Sequence, residues 1–151
     1  MSIVIGVEPL APALKELEPT LYDHWEELAE NRDCVPLDPD YERYLLLDSA
    51  GELLFVTIRK NGALIGYFIG IINKGLHYQS TIDCRMDIFY VRQEERGSSL
   101  GIKLFKAVEK ELRARGVDRW YVGCKVKHDA GKLFERLGFN PIEVFYSKML
   151  N

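Results

Sequence analysis

The chain predicts one α/β domain built on a mixed β-sheet with helices on both faces. Three observations carry that prediction. Ile88-Phe89-Tyr90-Val91 is a strand signal, and it runs through a short polar turn into a helix with apolar residues at Leu100, Leu104, Phe105, Val108 and Leu112. Asn61-Gly62 joins two apolar runs as a two-residue hairpin, because both turn positions need positive φ. A further strand and helix follow near the end, so hairpin-linked strands are succeeded by a β-α-β unit. At 151 residues, the whole chain (1–151) reads as a single domain long enough to bury a real core.

Taken in order, residues 3–7 read as the first strand. Pro12 opens a short helical turn, and Pro19 is expected to break it. Thr20 then caps a helix with Leu21, Trp25 and Leu28 as its apolar positions. Asp38-Pro39, an N-cap with proline at the first helical position, predicts a second helix to about Leu47. Strands over 53–59 and 63–72 flank the Asn61-Gly62 turn, with Gly66 and Gly70 as weak points or bulges. A longer strand over 81–91 leads to the turn at Gly97, and a helix over 99–115 stops at Gly116. Residues 120–125 form another strand, Asp129 caps a short helix over 130–137, and 143–150 alternates well enough for a last strand. The order is β-α-α-β-β-β-α-β-α-β.

Composition narrows the function classes. Lys, Arg, Asp or Glu interrupts every apolar run before membrane-spanning length, and the first residues lack the basic and apolar regions of a signal peptide. Cys34, Cys84 and Cys124 are an odd count without CxxC spacing, which reads as reduced thiols in a cytoplasmic protein with no metal site. Net charge is −3, unevenly spread: residues 8–48 hold 12 acids against 3 bases, and the remainder is basic. Either two helices carry solvated acidic faces, or the charge splits a pocket into a cation-attracting and a phosphate-attracting side. No basic stripe runs along the chain, so nucleic acid is not an expected partner.

The turn after Val91 carries the chemistry. Strand, small-residue turn and helix start together aim backbone N–H groups at a phosphate, which points to a ligand bearing a pyrophosphate. The plainer reading is a βα turn capped by Ser98 or Ser99.

Two motifs give the chain a family resemblance. Arg96-Gly97-Ser98-Ser99-Leu100-Gly101 resembles the Arg/Gln-x-x-Gly-x-Gly/Ala turn of the GCN5-related N-acetyltransferase superfamily, with Ser99 in place of the middle glycine. Leu133-Phe134-Glu135-Arg136-Leu137-Gly138-Phe139 is similar to that superfamily's Leu-Tyr-Glu-x-x-Gly-Phe helix end, with Phe134 where tyrosine is common. Leu76-His77-Tyr78, the Asp-rich strand after it and Phe145-Tyr146-Ser147-Lys148 further resemble small members encoded by phages and prophages.

The resemblance implies a central mixed sheet of six to seven strands flanked by about four helices. It implies acetyl-CoA as acyl donor, with no metal. The pantetheine would pair with the backbone of Phe89, Tyr90 and Val91, and Arg96, Gly97, Ser98, Ser99, Leu100 and Gly101 would hold the pyrophosphate. His128 falls where the family has an asparagine touching the cofactor, unless it is a surface histidine beside a helix cap. The family's glutamate base falls near Arg85, leaving Asp83 and Asp87, which share its face by alternation, as base or as a salt-bridged ladder. Phe134 has no proton to give, so the acid is Tyr146, Tyr121 or solvent. His77 and Tyr78 line the acceptor pocket or are turn residues, Cys84 and Cys124 pack as small hydrophobes, and His24 and Trp25 belong to core or helix surface.

The expected activity is acetyl transfer from acetyl-CoA to a primary amine, directly and within a ternary complex. The acidic 8–48 segment suggests a cationic acceptor. The alternative is an inactive binding module of the same fold, suggested by Phe134, Arg85 and Ser99 together. The last strand, with Val144, Phe145 and Tyr146, is a candidate to pair across a homodimer.

Overall fold

The computed structural model describes residues 2–151. The elements are β1 (Ile3–Val7), α1 (Leu10–Leu28), α2 (Tyr41–Ser49), β2 (Leu53–Lys60), β3 (Ala63–Lys74), β4 (Ile82–Val91), a single 3-10 turn (Gln93–Glu95), α3 (Leu100–Ala114), β5 (Arg119–Tyr121) and α4 (Gly131–Arg136). The sheet runs β1-β2-β3-β4-β5, antiparallel except for the parallel β4–β5 pair. The β2–β3 hairpin forms at Asn61-Gly62 with φ of 51° and 85°, the double positive the turn requires.

Each sheet face has its own core. Leu100, Leu104, Phe105, Val108 and Leu112 of α3 are all buried, against Leu54, Val56, Phe68 and Cys84 of the sheet. At roughly 1.5–3 kcal/mol per large side chain, this stripe anchors the helix. Phe105 is the hub: it lies 4.7 Å from Phe89, 5.4 Å from Trp120 and 5.7 Å from Phe134. On the opposite face, Leu10, Ala13, Leu17 and Leu21 of α1 pack on Phe55, Tyr67, Ile69 and Tyr90, joined by Tyr44 and Leu45 of α2.

Three expectations are corrected. Pro19 does not break the first helix; it lies inside α1. A mid-helix proline costs about 3 kcal/mol, and the apolar stripe buried on both sides of it outweighs that. The second helix begins two residues late, because Asp40 rather than Asp38 accepts from the Arg43 N–H as cap. The sheet has five strands, not six to seven. The expected 120–125 strand shrinks to three residues, and 143–150 pairs with nothing among the described residues. That tail stands in solvent, with Val144 68% and Phe145 83% exposed. Among the described residues, no helix is long and apolar enough to cross a membrane.

Candidate active site

The site grows from what happens along β4. Its register with β3 pairs Ile69 with Ile88 and Gly70 with Met86, so Asp87 is the extra residue of a β-bulge. Before the bulge, Cys84 and Met86 pack toward α3 while Asp83 and Arg85 take the other face. After it the parity reverses: Phe89 and Val91 pack toward α3, and Ile88 and Tyr90 toward α1. Asp87 therefore stands on the α1–α2 face, where the Tyr44 hydroxyl donates a hydrogen bond to its Oδ2. Burial, then this contact, pushes the Tyr44 phenol above its ordinary range.

β4 and β5 pair only over Asp83–Arg85 and Arg119–Tyr121. From Met86 to Val91 the β5-facing edge of β4 has no strand beside it. That stretch includes Phe89, Tyr90 and Val91, whose backbone is free on this side to take an extended ligand by strand addition.

At the end of this edge the chain turns through residues 96–99 into α3. Gly97 has φ of 82°, a backbone that disfavours any side chain. A helix leaves its first N–H groups without intrahelical partners. Here the Leu100 N–H reaches Ser98 Oγ at 3.4 Å and the Lys103 N–H reaches the Ser99 carbonyl at 3.0 Å. The Gly101 and Ile102 amides, inside the first turn, have no protein acceptor among the described residues. A Cβ on Gly101 would meet only Leu133, at 3.8 Å. Ser99 is the N-cap but makes no side-chain cap bond, so its hydroxyl is free to face a ligand. The open edge and this amide-lined turn adjoin, which fits a ligand with an extended tail and a pyrophosphate.

The structure distributes the other expected residues unevenly. Arg96 is already engaged: its Nε donates to the Val91 carbonyl at 2.8 Å, and its Nη atoms form a two-pronged pair with Glu27 of α1. That contact holds the Glu27 carboxyl below the usual carboxylate range. Asp83 is 2% exposed and gripped by Arg119 through two hydrogen bonds of 3.1 Å, a structural ion pair rather than part of the open edge. Tyr146 is 92% exposed on the tail, outside any strand. His128 closes an exposed turn back to the Lys125 carbonyl before α4. Phe134 is a core residue, packed on Phe105 and Phe139. Cys84 is buried and its thiol is pushed up to about 12, so it stays protonated. Cys124, contrary to expectation, is exposed and reaches Asp129 at 3.4 Å.

Sequence reading missed a polar cluster on the α1–α2 face. His24 shares a 2.9 Å hydrogen bond with the buried Tyr67 hydroxyl and stacks on Tyr90 at 4.7 Å. Burial lowers its pKa to about 4, so the imidazole is neutral at physiological pH. Tyr44 was equally hidden: its partner Asp87 lies 43 residues away. Only the helical spacing of Tyr41 and Tyr44 hinted that one side of α2 meets the sheet.

The acidic 8–48 segment is largely an interlock. Glu8 and Glu16 pair with Arg59, Asp23 with Arg92, Glu26 with Arg32 and Glu27 with Arg96. Asp40 caps α2, and Asp48 accepts from the Leu10 N–H. Four of the segment's twelve acids, Glu8, Glu16, Asp23 and Glu27, are thus engaged by arginines outside it. A cavity of about 210 Å³ lined by Phe105, Glu109, Trp120 and Phe139 lies apart from the amide turn. It runs along α3 from Phe105 to Arg113, about 7 to 20 Å past the helix start by helical rise. No group of three or more His, Cys, Asp or Glu converges as a metal site among the described residues.

Comparison with known proteins bears on the family and the fold. The model of the acetyltransferase (GNAT) family matches residues 17–139. The fold is similar to that of a GCN5-related N-acetyltransferase from Ralstonia eutropha, with TM-score 0.80 and 13% identity over 99% of this chain and 100% of that one. A ribosomal-protein-alanine N-acetyltransferase from Brucella melitensis gives TM-score 0.73 and 17% identity over 99% and 100%. A predicted acetyltransferase with acetyl-CoA from Clostridium acetobutylicum gives 0.71 and 12% over 99% and 97%. No curated protein matches the chain. Nothing in these likenesses supports a phage origin. With its amide turn, its bare β4 edge and a family match over most of its length, the chain belongs to the GNAT acetyltransferase family.

Proposed function

We propose that the chain is an acetyl-CoA-dependent N-acetyltransferase that moves an acetyl group to a primary amine by direct transfer in a ternary complex. The observation that carries this reading is the bare edge of β4 from Met86 to Val91 running into the unpaired amides of Gly101 and Ile102. Phe89, Tyr90 and Val91 bind the donor's tail through their backbone, and residues 97–101 bind its pyrophosphate through main-chain N–H groups and the helix N-terminus. Arg96 braces this turn through Glu27, and His128 meets the donor from the far side. The donor supplies an activated acyl carbon. Asp87 takes the proton of the incoming ammonium, which is the cationic feature the site receives, and Tyr44 fixes its carboxylate. The amine nitrogen forms a bond to the acyl carbon, the C–S bond breaks as the adduct collapses, the nitrogen gives its second proton to solvent, and the thiolate leaves with a proton supplied by solvent. Asp83 serves this base indirectly, by tying β5 to β4 where the gap begins.

The three free thiols support a cytoplasmic site of action. The exposed, alternating 143–150 tail and the unpartnered outer edge of β5 support a homodimer, which molar mass in solution checks.

Calorimetry with acetyl-CoA, followed by thiol release in the presence of amines, tests the function. Binding together with amine-dependent thiol release is the expected result. Binding without release leaves the inactive module as the correct description, and folded protein with no affinity for CoA sinks both.

A further inference from the structure

Among the described residues, Arg85 is a charged side chain beside the open edge of β4 that the fold has not paired. It ends the paired stretch of β4, opposite Tyr121, just before the bulge that carries Asp87. It is exposed, and its guanidinium lies over the Tyr121 ring at 4.3 Å. Among the described residues it has no ion pair and no hydrogen bond. Its neighbours are accounted for. Arg119 also faces Tyr121, at 5.1 Å, and Tyr78, at 4.9 Å, but is neutralised by Asp83. Elsewhere in the fold, Arg59, Arg92 and Arg96 each have a carboxylate.

An aromatic ring under a guanidinium covers its flat side and holds it still, leaving the N–H edge to meet a planar anion. Arg85 and Asp87 flank Met86 on the same face of β4, and both are exposed, so a cation and a carboxylate border one surface of this strand. A positive and a negative group on one exposed strand face match a ligand that carries both signs. A purely cationic amine would leave Arg85 opposing it.

We infer that the acceptor is a compact zwitterion, an amine carrying a carboxylate or phosphate within a few bonds, whose anionic group docks on Arg85 while its nitrogen lies at Asp87. The inference rests on the transferase reading above and names its acceptor class. Arg85 is then a specificity-determining contact, and its stack on Tyr121 positions it.

Matched amine pairs test this with the whole chain and acetyl-CoA: β-alanine against β-alaninamide, and O-phosphoethanolamine against ethanolamine. In at least one pair the anionic member should have kcat/KM tenfold or more above the neutral one. Which pair shows it distinguishes carboxylate from phosphate. Arg85→Gln, at an exposed position where folding is not at stake, should collapse that ratio toward one through KM, and Arg85→Lys should restore part of it. A neutral member equal or preferred in both pairs, or a ratio that Arg85→Gln leaves intact, overturns the inference while the transferase reading stands. Direct titration with the two anionic amines gives a readout without turnover. Binding that Arg85→Gln removes, with no acetylation of any amine, supports the contact and defeats the transferase reading instead.

Discussion

The two faces of the sheet use aromatic residues in opposite ways. Toward α3, Phe68, Phe89, Phe105, Trp120, Phe134 and Phe139 form a hydrocarbon cluster with edge-on and stacked rings. Toward α1 and α2, Tyr67 and Tyr44 put hydroxyls beside His24 and Asp87, and the Tyr90 ring stacks on His24. The first face fixes where the sheet and α3 sit, and the second holds titratable groups at set distances. β4 contributes to both, and the bulge at Asp87 is where it changes parity between them. The hydrocarbon face should therefore answer mutation mainly with stability, and the polar face mainly with pH dependence and chemistry.

The largest effect separating them is expected at Phe105. Phe105→Ala removes the hub ring, 1% exposed, and should cost about 3–5 kcal/mol, read from the urea midpoint at neutral pH. A loss under 1 kcal/mol would mean that the cluster is not the anchor. On the polar face, His24 has a folded pKa near 4 against an ordinary 6.5. Because the folded value is depressed, its stabilising contribution is complete above about pH 6.5 and disappears as pH falls through 4. The difference is about 3 kcal/mol. Urea titrations between pH 4 and 7 should show this slope, and His24→Gln should flatten it; an unchanged slope would place the imidazole in water. The smallest effect on folding, with a clear one on binding, is expected at Ser99. Ser99→Asp supplies a better helix cap and a favourable charge at the helix start, so the melting temperature should hold or rise. The same carboxylate repels a pyrophosphate, and acetyl-CoA affinity measured by calorimetry should fall tenfold or more, about 1.4 kcal/mol. Unaltered affinity would move the donor away from this turn.

What could be read from the sequence was local. The Asn61-Gly62 turn, the α3 stripe and the stop at Gly116 are each set by residues within one turn of chain, and each formed as expected. Elements that depend on distant partners were not legible. Pro19 reads as a breaker until the burial of Leu10, Ala13, Leu17 and Leu21 is known. Residues 143–150 alternate like a strand, yet a strand needs an edge to join, and sequence cannot say whether one is offered. The candidate site divides along the same line. The amide turn was visible because glycine and serine spacing dictates its backbone. The bulge at Asp87 exists only in the register with β3, and Tyr44, Glu27 and Arg119 became relevant only once folding brought them to β4 and its turn. Asp83 and Asp87 look equivalent as letters; burial and partner separate a tethered carboxylate from an accessible one.

The contact between Arg96 and Glu27 has one more consequence. Arg96 at Glu27, with Arg92 at Asp23 and Thr20, clasps the loop segment ahead of α3 to the second half of α1, which ties the two together. Any ligand that pulls the loop inward also tugs α1, and whatever settles against α1 feeds back on the loop with equal free energy. Order of arrival at the two sides of the sheet would then leave a thermodynamic imprint, each occupant altering how tightly the other is held.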